Sequence, residues 1–434
     1  MPAPDVAALL TELERVAPAA ADRARVAVEW LTGGEPLETV TQLDVCEFLW
    51  YTLPVKVKDD HTAVAAALGR LLRLGGLDRY AAICGSASTS RILRTYETEG
   101  EEAGAAAYQR ALTATGVLPP DVPELRWSSI MGPEELGAHI ACSAALELAV
   151  VAGDLRPATS AWKVRAEALT RRWLTAPRAE LGGDNWVDRV HGERLNRWVL
   201  GRGAARRELA QPFEVRLHAP IPAPEGAHFA ALRLLLEAAA LPGGLALTPG
   251  HGVAGPFAAE AAERFGWTDT EGGSLATLHR IAEREMRAVR RTGGALTITT
   301  AGRRLLDDPA AMWQAAASAL LAPAGGEREL ETSVREAGLM LLTGGEPLTC
   351  TALAERVAEV VSGEGWRTAT AADVTGAVTD LCHRLDALHL CTSSAHAGHP
   401  DQPHVAGLTP VGRAAALTAL RGQALRPRTY VASN

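Results

Sequence analysis

Apolar residues recur along this chain mostly at helical spacing. Val64, Leu68 and Leu71 form one such stripe, and Val374, Val378 and Leu381 form another at a constant offset of 310 residues. Each stripe follows the same heptapeptide, Leu-Thr-Gly-Gly-Glu-Pro-Leu, found at Leu31–Leu37 and again at Leu342–Leu348. An amphipathic pattern precedes each copy, Ala21–Leu31 in the first and Val334–Leu342 in the second. Glycine just past the last apolar position tolerates left-handed backbone and stops a helix. Glu-Pro then forces an extended residue. After Leu37, Thr41 and Asp44 fit a capping box that opens a new helix; after Leu348, TCTALAERVAEVV reads as another. The chain therefore carries an internal repeat of helix, extended turn, helix, helix.

The second copy goes further. ALHLCTSS and HVAGLTP flank the polar tip AHAGHPDQP, which predicts a β-hairpin, with a closing helix from about Pro410. A third module lies between the copies. Phe229–Ala240 reads as a helix, GGLALT as a strand, Pro256–Phe265 as a helix and Ser274–Arg291 as a longer one. ALTITT would be the return strand of a hairpin whose first strand comes from the end of that helix, and AGRRLLDDPAAMWQAAASALL a closing helix. ITTAGRRLL and LTPVGRAAA resemble each other.

Helix, strand, helix, helix, hairpin, helix resembles the winged helix-turn-helix superfamily and, more loosely, actinobacterial proteins built of repeated winged-helix-like modules. The resemblance implies a recognition helix just before each hairpin and a role in binding DNA or protein. The expected fold is mainly α with short β-hairpins: tandem winged-helix-like modules plus a helical middle segment. The segments are 1–118, an N-terminal winged-helix-like helical module; 119–211, helical; 212–325, a winged-helix module with an Arg-lined recognition helix; and 326–434, a C-terminal winged-helix module. At the second boundary PFEVRLH alternates like a strand, and Gly132–Gly153 reads as a buried core helix despite Glu134, Glu135 and Glu147.

Composition narrows the chemistry. A chain of 434 residues that is 47% hydrophobic can bury several cores. Its net charge of −8 argues against a protein that coats nucleic acid, so any such contact must be local. Lysine occurs only at 56, 58 and 163, so arginine carries nearly all the positive charge. The six cysteines (46, 84, 142, 350, 382, 391) are scattered without C-x-x-C, which predicts reduced thiols in a cytoplasmic protein. The N-terminus has no basic region ahead of its apolar residues, so no signal peptide is expected. No run of about 18 apolar residues lacks charge, so no membrane span is expected.

The most informative stretch is Ser274–Arg291. On a helical wheel Leu275, Leu278, Ala282, Met286 and Val289 share one face, and Arg280, Arg284, Arg287 and Arg291 share the opposite one. Such a row of guanidinium groups suits phosphates or guanine edges of duplex DNA, with Arg303 and Arg304 adding cations beside the hairpin. The competing reading is a solvated face partly neutralised by Glu283 and Glu285. The equivalent outer helices carry only Arg70 and Arg73, or Asp373, Asp380, His383 and Arg384.

Three weaker signals compete. Residues 156–208 hold twelve basic and six acidic side chains with Trp162, Trp173, Trp186 and Trp198, either a stacking platform for single strands or, the favoured reading, core anchors. Cys382, Cys391, His396 and His399 would be needed for a zinc site, but their spacing fits no standard pattern, and a polar loop is expected. GHGVAG (250–255) has the glycine spacing of a nucleotide loop without the βαβ context. No catalytic motif, metal site or cofactor is implied. The leading expectation is a DNA-binding transcriptional regulator using Arg280, Arg284, Arg287, Arg291, Arg303 and Arg304 on duplex DNA; the alternative is a protein-interaction scaffold.

Overall fold

The computed structural model describes residues 5–157, 159–226, 228–250, 252–253, 255–267, 273–323, 329–345, 347–366, 370–393 and 405–429. The chain is mainly helical with a few short antiparallel strands. It divides into two compact units, Met1–Val190 with Pro427–Asn434, and His191–Arg426.

The first unit contains α1 (Val6–Val16), α2 (Pro18–Thr32), α3 (Gln42–Glu47), α4 (Leu53–Lys56), α5 (His61–Leu74), α6 (Asp78–Cys84), α7 (Ala87–Glu99), α8 (Glu101–Thr115), α9 (Pro133–Ala152) and α10 (Trp162–Thr175); α11 (Trp186–Leu200) runs across the division. The repeat behaves as its chemistry requires. Gly33 ends α2 in the left-handed region (φ 57°), with its N–H on the Glu29 carbonyl. The Thr41 N–H donates to Asp44 Oδ2 (2.8 Å), and the Asp44 N–H donates back to Thr41 Oγ1 (3.4 Å). α5 buries Val64, Leu68 and Leu71, the predicted stripe. After α5 this unit continues with α6 to α10, and its described residues form no strand beyond one bridge between Val122 and Leu125.

α9 departs from the expected buried helix. Two of its acids are buried, and four large apolar residues, Leu136, Ile140, Leu148 and Val151, are exposed. The Glu147 carboxylate accepts from the Gln42 N–H (2.7 Å), Arg79 Nη1 (2.9 Å) and the Tyr80 hydroxyl (2.8 Å). Glu135 accepts from the Ser128 N–H (2.6 Å) and hydroxyl (3.1 Å). By length and composition alone α9 would also pass for a membrane span. Glu147 instead ties it to α3 and α6, and Glu135 to the loop ahead of it, because a buried carboxylate is tolerated only when its oxygens are satisfied.

The second unit contains α12 (Ala204–His218), α13 (Ala230–Ala240), β1 (Leu245–Ala246), α14 (Gly255–Phe265), α15 (Ser274–Arg280), β2 (Val289–Thr292), β3 (Ala295–Ile298), α16 (Thr300–Asp307), α17 (Pro309–Ala319), α18 (Glu329–Gly344), β4 (Leu348–Thr349), α19 (Cys350–Ser362), α20 (Ala371–Ala387), β5 (Cys391–Ser393), β6 (Val405–Leu408) and α21 (Pro410–Ala424). The predicted strand at Pro212–His218 is the C-terminal half of α12, with Pro212 inside the helix. Its buried residues Arg206, Ala210, Phe213 and Leu217 follow helical spacing.

Two sets of elements in this unit share one order: helix, strand, helix, helix, two strands, helix. Their sheets share one topology, β1-β3-β2 and β4-β6-β5, all pairs antiparallel. The likeness of ITTAGRRLL to LTPVGRAAA has a physical cause. Thr299 and Thr409 each cap the helix that follows, accepting from the N–H of Gly302 (3.1 Å) and Gly412 (2.9 Å). Each threonine N–H also donates to a carbonyl just ahead of the paired strand, Ala288 (2.9 Å) or Leu390 (3.0 Å). The glycine is needed because that same carbonyl crowds it. A Cβ on Gly302 would lie 2.1 Å from the Ala288 oxygen, and one on Gly412 1.8 Å from the Leu390 oxygen. The residue before that carbonyl is left-handed in both sets, Arg287 (φ 50°) and His389 (φ 56°).

Candidate nucleic-acid interface

The hairpin of the first set is built for a tight turn. Gly293 (φ 56°) and Gly294 (φ 83°) are both left-handed, as a two-residue hairpin loop demands. Val289 faces Ile298, Arg290 faces Thr297 and Arg291 faces Leu296 across the strands. Val289, Leu296 and Ile298 turn into the core, while Arg290, Arg291 and Thr292 are exposed.

The predicted helix Ser274–Arg291 is shorter than its pattern suggests. Regular helix ends at Arg280, a π-helical turn covers Ile281–Glu285, and the chain reverses at left-handed Arg287 into β2. Arg280, Arg284, Arg287 and Arg291 therefore do not form a ladder on one helix face. Arg280 is three-quarters buried and bonded to two carboxylates, Glu285 (2.7 Å) and Asp380 (2.6 Å). Arg291, on β2, is paired with Glu283 (2.8 Å). Beneath them, burial pushes the His279 imidazole below its ordinary range; Glu283 opposes that shift, and Arg291 and Arg284 add to it.

The other predicted cations gather around the hairpin. Arg284, Arg287, Arg303 and Arg304 are exposed, and with them Arg290, which the helical reading passed over. Among the described residues none of these five has a carboxylate at ion-pair distance. The Thr299 hydroxyl donates to the Arg287 carbonyl (2.8 Å), which sets Arg287 at the N-terminus of α16, within whose first turn and a half Arg303 and Arg304 follow. The result is a cationic collar at the base of the hairpin and the start of α16.

Arg280 belongs to a different assembly. α15 and α20, the helices that precede the two hairpins, pack against each other. Asp380 sits at the centre, bonded to Arg280, Arg335 (3.2 Å) and Arg384 Nε (2.6 Å). Glu285 bonds Arg280 and lies 3.4 Å from Arg384. Arg384 and Arg335 are fully buried and also donate to the Ala322 carbonyl, at 3.1 and 3.3 Å. The Ser274 hydroxyl donates to Asp386 across the same contact. Nothing in the charge pattern of Ser274–Arg291 foretold this network. A signal did exist in α20, where Arg384 lies in the stripe Val374, Val378, Leu381, Leu385 that the core buries. An arginine within a buried stripe needs partners.

The weaker sequence signals resolve less. Trp162, Trp173, Trp186 and Trp198 are all half-buried. Arg178 stacks on Trp173 (3.5 Å), Trp186 packs over Gly137, and the Trp198 indole donates to Glu336. His396 and His399 lie outside the described residues, and among those described no His, Cys, Asp or Glu cluster is arranged to hold a metal ion. His251 and Ala254 of the GHGVAG loop also lie outside them; β1, ahead of that loop, pairs antiparallel with β3. Comparison with family models, curated proteins and solved structures finds no match to this chain.

Proposed function

We propose that the second unit binds duplex DNA through the arginine collar of its first hairpin, and that the protein acts in transcriptional regulation. The observation that carries this reading is the set of five exposed guanidinium groups around one hairpin that have no carboxylate partner among the described residues, in a chain of net charge −8. Guanidinium groups of this kind bind phosphate oxygens and are charge-compensated when they do. The element order of both sets, helix to closing helix, supports the winged-helix resemblance on which the reading also leans. The contact differs from the one the sequence suggested. α15 is engaged with α20, so grip on the backbone by hairpin and α16 replaces insertion of a recognition helix into the groove. Phosphate contacts position a protein without reading bases, so weak sequence preference is expected.

Fluorescence polarisation of labelled duplex at two salt concentrations tests this. Five phosphate contacts predict that raising salt from about 50 to about 200 mM weakens binding by roughly 500-fold. The double variant Arg290→Glu, Arg303→Glu should abolish binding while leaving the helical circular dichroism unchanged. Wild-type affinity in that variant would remove the collar as the interface.

The second reading is a protein-interaction scaffold. It is favoured by one observation: the α15–α20 contact already uses a helix from each set to hold protein against protein. On that reading polarisation stays flat at both salt concentrations.

A further inference from the structure

Three of the six cysteines lie in the second hairpin set, and two of them touch. Cys350 is the first residue of α19 and Cys382 lies in the middle of α20; their sulfurs are 3.0 Å apart. A disulfide needs about 2.05 Å, so closing the bond asks for a movement of about 1 Å. Both side chains are partly open to solvent, whereas Cys46, Cys84 and Cys142 are buried. Cys350 has the features of the reactive partner. Cys350 and Cys382 share a thiol–sulfur hydrogen bond, and Cys350 is the first residue of α19, where a helix N-terminus favours a thiolate; the shared bond and its own backbone N–H outweigh burial and hold the Cys350 thiol below the usual thiol range. Cys382 is pushed the opposite way by that shared bond and by burial. An asymmetric pair of this kind, one sulfur readily a thiolate and its neighbour a held thiol, is how a peroxide-reactive dithiol is arranged.

We propose that Cys350 and Cys382 form a reversible peroxide-responsive dithiol, with Cys350 as the attacking sulfur and Cys382 as the resolving one. The Cys350 thiolate attacks hydrogen peroxide; the O–O bond breaks, an S–O bond forms and hydroxide leaves, giving a sulfenic acid. The Cys382 sulfur then attacks the Cys350 sulfur, the S–O bond breaks, and the departing hydroxide takes the Cys382 proton as water. In sum two thiols and one peroxide give one disulfide and two waters. A cellular dithiol or glutathione returns the pair to the reduced state. The bridge would staple the start of α19 to α20 between Asp380 and Arg384, the two α20 residues of the ion network with α15. Oxidation would thus change the mobility of the α15–α20 contact, whatever the unit binds.

The test uses the reduced full-length chain, one equivalent of hydrogen peroxide, alkylation and peptide mapping. The expected product is an intramolecular Cys350–Cys382 cross-link, reversed by dithiothreitol, with Cys46, Cys84 and Cys142 still alkylatable. Cys382→Ser should stop at a sulfenic acid on Cys350, trapped by dimedone. Cys350→Ser should slow oxidation of Cys382 by at least tenfold. Both residues still reduced after Cys46, Cys84 or Cys142 has reacted would overturn the proposal. So would a dominant Cys382–Cys391 bridge, or dimedone adducts appearing on Cys382 rather than Cys350. These readouts do not depend on nucleic acid, so they can fail or succeed separately from the binding experiment.

Discussion

A single methyl group is enough to probe the hairpin sets. Gly302 and Gly412 sit where a Cβ would press on a backbone carbonyl that cannot rotate away, 2.1 Å from Ala288 and 1.8 Å from Leu390. Alanine at either site forces α16 or α21 off its strand and should cost about 1–3 kcal/mol. The measurement is urea denaturation followed by circular dichroism, with the exposed Gly422→Ala in α21 as the control, expected to be neutral or to stabilise by up to about 1 kcal/mol. His139 gives a second residue-scale expectation. Burial against Trp127 and the α9 core lowers its pKa to about 4, although Glu135 pulls the other way. Above pH 6.5 the imidazole is neutral in folded and unfolded chains alike and contributes nothing to the pH dependence. As pH falls from 6.5 toward 4 the unfolded chain takes up the proton first, so the first unit loses stability across that window, by about 3 kcal/mol at most. His139→Leu should flatten this part of the curve; an unchanged slope would show that other groups set it.

At the scale of elements, the chain's own signals explain both what could be read and what could not. Thr41 with Asp44 and Thr370 with Asp373 are capping boxes that open helices, and side chains three residues apart announce them without tertiary knowledge. The hairpin and closing helix after α20 were equally plain, because their strands flank a Gly/Pro-rich tip. The end of α15 was not. Leu278, Ala282, Met286 and Val289 keep helical spacing, and the reversal falls on Arg287, a residue type that rarely takes left-handed backbone. A glycine there would have marked the boundary. The strand expected at Pro212–His218 failed for the converse reason. Phe213 and Leu217 are buried and Val215 is exposed, an alternation that also satisfies a helix once Arg206 and Ala210 are included. The reversal supplies its own prediction. Arg287→Gly relieves the left-handed strain and should leave stability unchanged or raise it by about 0.5 kcal/mol. It also deletes one cation of the collar, so DNA affinity at low salt should fall severalfold. A variant that binds less while folding at least as well separates interface from scaffold.

For the molecule as a whole, the second unit is more than two modules in sequence. One continuous apolar cluster runs from Leu195 to Ala424, including Leu236, Leu296, Leu339, Leu385 and Leu420. The Asp380 network lies at the contact between the helices that precede the two hairpins. Buried charges are expensive when they lose a partner, and removing Asp380 takes a carboxylate from Arg384 and from Arg335, both fully buried. Asp380→Asn should therefore cost about 3 kcal/mol, the low end for a broken buried pair because Asp380 itself is about a quarter exposed. The cost should not be confined to α20. If the network couples the two sets, amide hydrogen exchange monitored by mass spectrometry will speed up together in α15, β2, α18 and α20. Glu147 of α9 is held by Gln42, Arg79 and Tyr80 of the first unit, and α9 should keep its wild-type rate. Faster exchange limited to α20 would mean that the two hairpin sets fold independently. The α15 surface would then be free to leave α20, and groove insertion by that helix would return as the better account of DNA contact.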